Sequence, residues 1–215
     1  MSQLALPFSI PPSYGDADFC AAPSNEAARD WLARPDAWPL GRLVLWGAPG
    51  CGKTHLLHIW ARAHKAEIIP MAALPGWPHP GGPVCIDDAD TIPDPACLLH
   101  LLNTAAEQKT LVLMAASTAP ARMDYTLPDL TSRLRATQSV QILPPEDELL
   151  AMLLARLLAE RQLRLNAQIR QMLLTRLPRT SAALREAVAR LDAASLDGAR
   201  KLTRATARGI LSDML

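Results

Sequence analysis

Short apolar runs alternate with helical patterns along the first two thirds of the chain. The runs RLVLWG (42–47), PVCIDD (83–88) and TLVLMAAS (110–117) are almost continuously apolar, which is typical of buried parallel strands. Shorter strand candidates are EIIPM (67–71) and SVQIL (139–143). These five runs predict a sheet whose strands are covered on both faces.

Segments with helical spacing of apolar residues lie before and between these strands, at 25–34, 53–65 and 95–109. Strands that alternate with helices predict an α/β fold, in which a parallel sheet is flanked by helices. The stretch 70–83 is rich in proline and glycine and is therefore predicted to be a loop.

The pattern changes character near residue 144. Residues 145–163 place acidic side chains in a first helical turn and leucines at helical spacing after it. Further amphipathic segments follow at 167–177, 180–194 and 204–214. The sequence therefore predicts an α/β domain over 13–144 and a small all-helical domain over 145–215.

An apolar peptide, QLALPF (3–8), stands in an N-terminal tail over 1–12. Three prolines among residues 7–12 favour an extended backbone, in which Leu4, Leu6 and Phe8 lie on one side. Such a peptide either docks on its own domain or binds a partner protein.

Composition fits a folded protein, with 215 residues of which 49% are hydrophobic and 20% charged. The four cysteines form no CxxC pair, so we expect reduced thiols. Neither a membrane-spanning run nor a signal peptide is evident, and we expect a cytoplasmic protein without membrane contact.

Residues 145–215 carry 12 basic and 8 acidic residues. So small an excess of basic residues is more typical of solvated helices than of a nucleic-acid surface.

The sequence GAPGCGKT (47–54) matches the phosphate-binding pattern G-x-x-x-x-G-K-[ST], between a predicted strand and a predicted helix. Glycines allow main-chain amides to surround phosphate oxygens, while the lysine supplies a charge and the threonine hydroxyl can ligate Mg²⁺. We expect ADP or ATP to be bound here. The predicted nucleotide-binding residues are Gly47, Ala48, Pro49, Gly50, Cys51, Gly52, Lys53, Thr54 and His55.

Two aspartates end the strand VCIDD, about thirty-five residues after this loop. Asp87 is predicted to hold Mg²⁺ together with Thr54, and Asp88 stands where a carboxylate could polarise an attacking water. Alone, two such aspartates would favour a helix cap or turn, but together with the loop over 47–54 they favour a nucleotide site. His55 and His58 lack a third metal ligand nearby, which favours ordinary packed histidines.

Four segments together resemble a known family. GKTHLLH (52–58), VCIDD (84–88), LPDLTSRL (127–134) and ARKLTRATARGIL (199–211) are similar, in this order, to the DnaA-like AAA+ ATPases. Among these proteins the resemblance is to the short Hda-type regulators of replication initiation. It covers essentially the whole chain and implies an AAA+ P-loop core followed by a helical lid.

The resemblance implies roles for further residues. Arg133 matches an arginine finger that acts in trans on a neighbouring nucleotide, and Ser117 or Thr118 matches the polar sensor position.

The N-terminal tail resembles peptides that bind the DNA polymerase sliding clamp. The residues that this resemblance implies are Gln3, Leu4, Leu6, Pro7 and Phe8. Gln3 would hydrogen bond at the rim of the clamp pocket, and Leu6 and Phe8 would fill it. The other implied partners are the initiator DnaA and further copies of the chain.

Two departures from the family matter. Ala182 stands where the second sensor arginine is expected, with Arg179 and Arg185 each three positions away, so we expect weak intrinsic ATP hydrolysis. The loop at 70–83 leaves no room for an inserted helical pair, and no helix-turn-helix follows the lid. We therefore expect DNA contact to be indirect or weak.

The sequence thus predicts a negative regulator of replication initiation that promotes hydrolysis of DnaA-bound ATP. Two alternatives remain. A helicase-loader-like AAA+ ATPase would grip single-stranded DNA through a basic, salt-sensitive surface. A small-molecule P-loop kinase would need phosphate-binding arginines in a lid over an acceptor pocket.

Overall fold

A computed structural model describes residues 14–70, 73–74, 81–196 and 202–215. They form two compact units, Tyr14–Pro144 and Pro145–Leu215. Elements of the first unit are α1 (Pro23–Leu32), β1 (Arg42–Trp46), α2 (Lys53–His64), β2 (Glu67–Ile69), β3 (Val84–Ile86), α3 (Pro95–Glu107), β4 (Val112–Ala116), α4 (Pro128–Arg135) and β5 (Gln138–Gln141). The second contains α5 (Asp147–Glu160), α6 (Ala167–Arg176), α7 (Ser181–Leu196) and α8 (Arg204–Ile210).

The five strands form one parallel sheet in the order β2-β3-β4-β1-β5. β1 lies between β4 and β5, with Val44 opposite Met114 on one side and Ser139 on the other. The predicted α/β class with a parallel sheet and flanking helices is therefore confirmed. Every strand runs the same way, so all of the carboxyl ends lie at one edge of the sheet.

Alternate residues of each strand face opposite layers of helices, because successive side chains in a strand point to opposite faces. Val44 and Met114 pack in a core that includes residues of α3 and α4. Leu43 and Leu45 pack in a second core, which includes residues of α1 and α2. These central strand residues are fully buried, which explains why β1 and β4 read as continuous apolar runs.

Element ends differ from the predicted ones by a few residues, for local reasons. β4 begins at Val112 and not at 110, because Lys109 has a φ of 55° and the Thr110 amide donates to Ala105 O at 2.8 Å. α1 begins two residues before the predicted start, with Pro23 at its first position. The Asn25 side chain accepts from the Ala22 amide at 3.1 Å and so closes its amino end.

The second unit is a cluster of helices around an aliphatic core. Its fully or nearly buried residues include Leu154, Ile169, Leu173, Val188 and Leu211, which come from all four helices or their ends. In the described part of the chain, no helix has both the length and the apolar character needed to cross a bilayer.

Candidate nucleotide-binding site

Three predicted site segments follow the carboxyl ends of three strands. The loop over 47–52 follows β1, Asp87 follows β3 and Ser117 follows β4. β4 lies between β1 and β3 in the sheet, so these segments meet at one edge. The predicted tail residues Gln3, Leu4, Leu6, Pro7 and Phe8 lie outside the described residues.

The loop between β1 and α2 depends on its glycines. Gly50 and Gly52 have φ angles of 77° and 106°, a region that residues with a Cβ rarely adopt. At Gly47 the constraint is space, because a Cβ would lie 2.5 Å from Ile142 O in the neighbouring chain segment. The main chain can thus turn around a small volume that side chains would otherwise fill.

Substitution of Gly47 by alanine tests this close approach. We expect Gly47→Ala to lower the free energy of unfolding by about 1–3 kcal/mol and to displace the loop, because the added methyl overlaps main-chain atoms. Chemical denaturation measures the change. The matched control is Gly209→Ala within α8, where nothing lies within 4 Å and the helix gains about 0.5–1 kcal/mol. Equal effects at the two positions would contradict this account of the loop.

Lys53 is a buried cation, only 6% exposed, at the first position of α2. Its ammonium donates to Gly47 O at 2.8 Å and to Ala48 O at 3.1 Å. Among the described residues no carboxylate lies within ion-pair distance of it. A buried ammonium held by two carbonyl oxygens is a favourable partner for an anion, so the residues present fit a phosphate group.

The amino end of α2 adds main-chain donors to the same place. The first intrahelical bond joins Leu56 N to Gly52 O at 3.0 Å, so the amides of Lys53, Thr54 and His55 precede the regular helical ladder. The positive end of the helix dipole also lies there. The first turn of α2 thus supplies main-chain donors and a partial positive charge beside the loop.

Thr54 and Asp87 lie in direct contact, although they come from different elements. The Thr54 hydroxyl donates to Asp87 Oδ2 at 2.7 Å, and Asp87 Oδ1 accepts from the Asp88 amide at 3.0 Å. A hydroxyl and a carboxylate this close supply the hard oxygen ligands that Mg²⁺ prefers. The predicted metal pair is therefore brought together.

Asp88 is exposed and has a φ of 50°, in the left-handed region. Partial desolvation, together with the charges of Asp87 and Asp90, raises the pKa of Asp88 above its ordinary value. A raised pKa makes the carboxylate a better proton acceptor, and the role of Asp88 beside an attacking water stays a prediction.

Ser117 is exposed directly after β4, and its position is set by a residue that we did not predict. Asp90 Oδ2 accepts from the amides of Ser117 and Thr118, both at 2.9 Å. The only sequence signal was a third acidic residue in IDDAD, which alone fits many turns. Asp90 thus joins the segments after β3 and β4.

The His55 side chain turns away from the loop and toward the segment before α1. Its Nε2 lies 3.0 Å from Gly15 O, and its ring meets those of Tyr14 and Phe19 edge to face. Tyr14 also stacks on His58, with ring centroids 4.2 Å apart. The rings of both histidines pack against the segment before α1, while the main-chain amide of His55 lies in the first turn of α2.

Cys51 lies within the loop, with its sulfur 4.0 Å from the Lys53 ammonium. Burial raises the pKa of this thiol despite the nearby positive charge. Cys85, inside β3, has its pKa raised to about 12 by burial first and by Asp87 second. Both cysteines therefore stay protonated at neutral pH and act as small apolar groups.

Arg133 is exposed in the last turn of α4, and no carboxylate of the described residues lies within ion-pair distance of it. Burial first, and then the charge of Arg133, lower the pKa of the buried Arg42.

The helical unit places Ala182 exposed in the first turn of α7. Arg179 donates to Asp147 Oδ1 at 2.5 Å and to Pro145 O at 3.0 Å, so it is bound to the start of α5. Arg185 is exposed. The assignment of Ala182 to the second sensor position stays a prediction from the resemblance.

No family model matches the chain. It is 30% identical to an uncharacterised protein of Haemophilus influenzae over 186 residues, which cover 78% of this chain and 80% of that protein.

Solved structures give a broader likeness. Domain III of the Thermotoga maritima replication initiation protein DnaA matches with a TM-score of 0.78 at 16% identity, covering 94% of this chain and 97% of that one. AMPPCP-bound DnaA from Aquifex aeolicus matches with a TM-score of 0.66 at 18% identity, covering 87% and 66%. At these identities the likeness establishes a shared fold.

Proposed function

Because the chain belongs to the same protein family as the uncharacterised Haemophilus influenzae protein and has the AAA+ fold of DnaA domain III, we propose that it is a nucleotide-bound regulator of DNA replication. In this proposal it acts in the manner of the Hda-type proteins. It lowers replication initiation by promoting hydrolysis of the ATP that DnaA holds.

The nucleotide is ADP or ATP, bound between β1 and α2. Amides of the loop and of the first turn of α2 hold the polyphosphate, while Lys53 supplies the charge. Thr54 and Asp87 hold Mg²⁺, which when bound would offset the negative charge of the phosphates. The AMPPCP bound by the similar Aquifex aeolicus DnaA supports this assignment.

Hydrolysis by the chain itself is slow in this account. Asp88 is one methylene shorter than a glutamate, and Ala182 provides no charge for a γ-phosphate. Bound nucleotide then serves to hold the α/β unit in its active form, and the reaction that matters takes place in the partner.

Arg133 is the residue that acts on that partner, and the single observation carrying the proposal is its exposure without an acidic partner. It lies in the last turn of α4, and no ion pair joins it to another of the described residues. Placed beside a neighbour's γ-phosphate, a guanidinium stabilises the charge that develops as the phosphoryl group leaves. Self-association would bring Arg133 to a second copy in the same way.

Residues 3–8 tether the regulator to the sliding clamp on DNA. An extended peptide with Leu4, Leu6 and Phe8 on one side suits an apolar groove, and Gln3 can hydrogen bond at its rim. Pro7 reduces the backbone freedom that is lost on binding. Contact with DNA is then indirect, through the clamp.

The tail is tested by a single substitution. We expect Phe8→Ala to weaken clamp binding by about 10- to 100-fold, since a buried aromatic anchor commonly contributes 2 kcal/mol or more in a short interface. Surface plasmon resonance on immobilised clamp measures the change, with Ser2→Ala as the control outside the peptide. Unchanged affinity would assign the tail to another role.

The experiment that tests the proposal follows hydrolysis of radiolabelled ATP bound to DnaA, with and without the chain and DNA-loaded clamp. We expect stimulation that requires both additions. A salt-sensitive grip on single-stranded DNA without stimulation would favour the helicase loader, and phosphoryl transfer to free metabolites would favour the kinase.

A further inference from the structure

A tight turn follows β3, with Asp87 directly before it and a contact to the sheet within it. The Asp88 amide donates to Asp87 Oδ1 at 3.0 Å, and the Thr91 amide donates to Asp88 O at 2.9 Å. Within the turn, the Ala89 amide donates to Ala115 O of β4 at 2.7 Å. The turn therefore holds a defined shape, and Asp87 cannot shift without affecting its neighbours.

The same turn is bonded to the segment before α4. The Tyr125 hydroxyl donates to Ala89 O, and Ala89 is 1% exposed. Burial, followed by the nearby charge of Asp90, raises the pKa of Tyr125. The phenol thus stays protonated, and remains a donor, throughout the neutral pH range.

Tyr125 is in turn bonded to the helix that carries the proposed finger. Its carbonyl oxygen accepts from the Thr131 hydroxyl at 3.3 Å, and the same hydroxyl lies 3.2 Å from Leu127 O. Thr131 and Arg133 are two residues apart in the eight-residue α4. Four hydrogen bonds, linked by short covalent stretches of the chain, therefore connect Thr54, through Asp87 and the turn, to the helix of Arg133.

Asp90 extends this set to the sensor segment. While its Oδ2 accepts the two amides after β4, its Oδ1 is buried and has no hydrogen-bond partner in the described part of the chain. A buried carboxylate oxygen without a donor is unfavourable. The two accepted amides indicate that this carboxylate positions Ser117 and Thr118 relative to the turn.

We propose that Tyr125 is a positioning residue, which makes the placement of α4 and Arg133 depend on the state of the chain's own nucleotide site. The hydrogen bond from the Tyr125 hydroxyl to Ala89 O connects the turn after β3 to the segment before α4. Asp90 connects the same turn to Ser117. The significance for a partner's ATP rests on the proposed function; the physical coupling within the α/β unit does not.

Hydrogen–deuterium exchange of the whole protein measures this coupling directly. We expect Tyr125→Phe to accelerate exchange of the α4 amides about 5- to 10-fold in the nucleotide-free protein, which corresponds to the loss of one buried hydrogen bond. We also expect Mg-ADP to slow α4 exchange in the unsubstituted protein but not in the variant. Mg-ADP should slow exchange of the amides of residues 47–56 equally in the unsubstituted protein and in Tyr125→Phe.

A second substitution guards against a general loss of packing at Tyr125. Thr131→Val removes only the hydroxyl that donates to Tyr125 O. We expect it to accelerate exchange of the α4 amides about 2- to 5-fold, less than Tyr125→Phe does, and to remove the slowing of α4 exchange by Mg-ADP in the same way. Its matched control is Thr175→Val in α6, which removes a similar hydroxyl bond, to Gln171 O at 2.8 Å, in the other unit. We expect Thr175→Val to leave α4 exchange unchanged.

The outcomes separate this inference from the proposed function. If Mg-ADP slows α4 exchange equally in Tyr125→Phe and in the unsubstituted protein, the connection through Ala89 O is wrong even when Arg133 acts on DnaA. If the coupling is lost in Tyr125→Phe, the inference stands even when Arg133→Ala leaves hydrolysis of DnaA-bound ATP unchanged. With an active finger, Tyr125→Phe should lower the maximal stimulation about 10-fold and leave the half-saturating concentration unaltered.

Discussion

Replacing Arg133 by alanine is expected to reduce the stimulated hydrolysis of DnaA-bound ATP by about 1,000-fold, to the unstimulated rate. Arginine fingers supplied in trans contribute roughly 10³–10⁵ to such reactions, because the guanidinium meets charge that develops only in the transition state. The substitution should leave the fold intact, since Arg133 is exposed and forms no ion pair with the described residues. Nucleotide affinity and clamp binding should therefore be unchanged.

Arg135 provides the matched control for this experiment. It is a second exposed arginine in the last turn of the same helix, so Arg135→Ala removes an equal charge. Single-turnover hydrolysis of DnaA-bound ATP, measured at saturating regulator, separates the two variants. An equal loss of stimulated hydrolysis in both variants would indicate a general electrostatic effect. Full stimulation by Arg133→Ala would contradict the assignment of Arg133 as an arginine finger.

Replacing Lys53 by alanine is expected to weaken binding of Mg-ADP by roughly 100-fold, because a hydrogen bond to a charged group contributes up to about 3 kcal/mol and the ammonium is pre-positioned at the loop. Stability should behave differently. In the nucleotide-free protein the buried ammonium contacts two carbonyl oxygens and the Cys51 sulfur, and no carboxylate of the described residues lies within ion-pair distance of it. Its removal should therefore leave the midpoint of thermal unfolding unchanged or slightly higher.

Fluorescence titration with a labelled ADP measures the affinity, and thermal unfolding without nucleotide measures the stability. Arg62→Ala is the control, because Arg62 is an exposed cation of the same helix. We expect wild-type affinity for Arg62→Ala. Wild-type affinity for Lys53→Ala would show that the loop does not bind phosphate.

Much of the fold follows from local patterns. β1 and α2 were predicted closely, since a buried parallel strand and an amphipathic helix each leave a strong periodic signal. The likeness to DnaA domain III at 16% identity agrees with this, because apolar periodicity survives where residue identity does not. The strand ends were predicted less accurately. The predicted strand began at Thr110, but the Thr110 amide donates to Ala105 O at the end of α3 and lies outside β4.

Contacts within the site could be predicted only where a motif fixes them. The pairing of Thr54 with Asp87 follows from the loop and strand motifs. The bond from Tyr125 to Ala89 O and the two amides held by Asp90 depend on strand order and on the path of loops, which no local pattern records. The orientation of His55 toward Gly15 was hidden for the same reason.

The most direct test of the central claim is calorimetric titration of the unsubstituted protein with ADP in the presence of Mg²⁺. The account predicts saturable binding of one nucleotide per chain, with a lower affinity when Mg²⁺ is omitted, because Thr54 and Asp87 then lose the cation that they share. The absence of saturable binding of either ADP or ATP, in a protein shown to be folded, would contradict it.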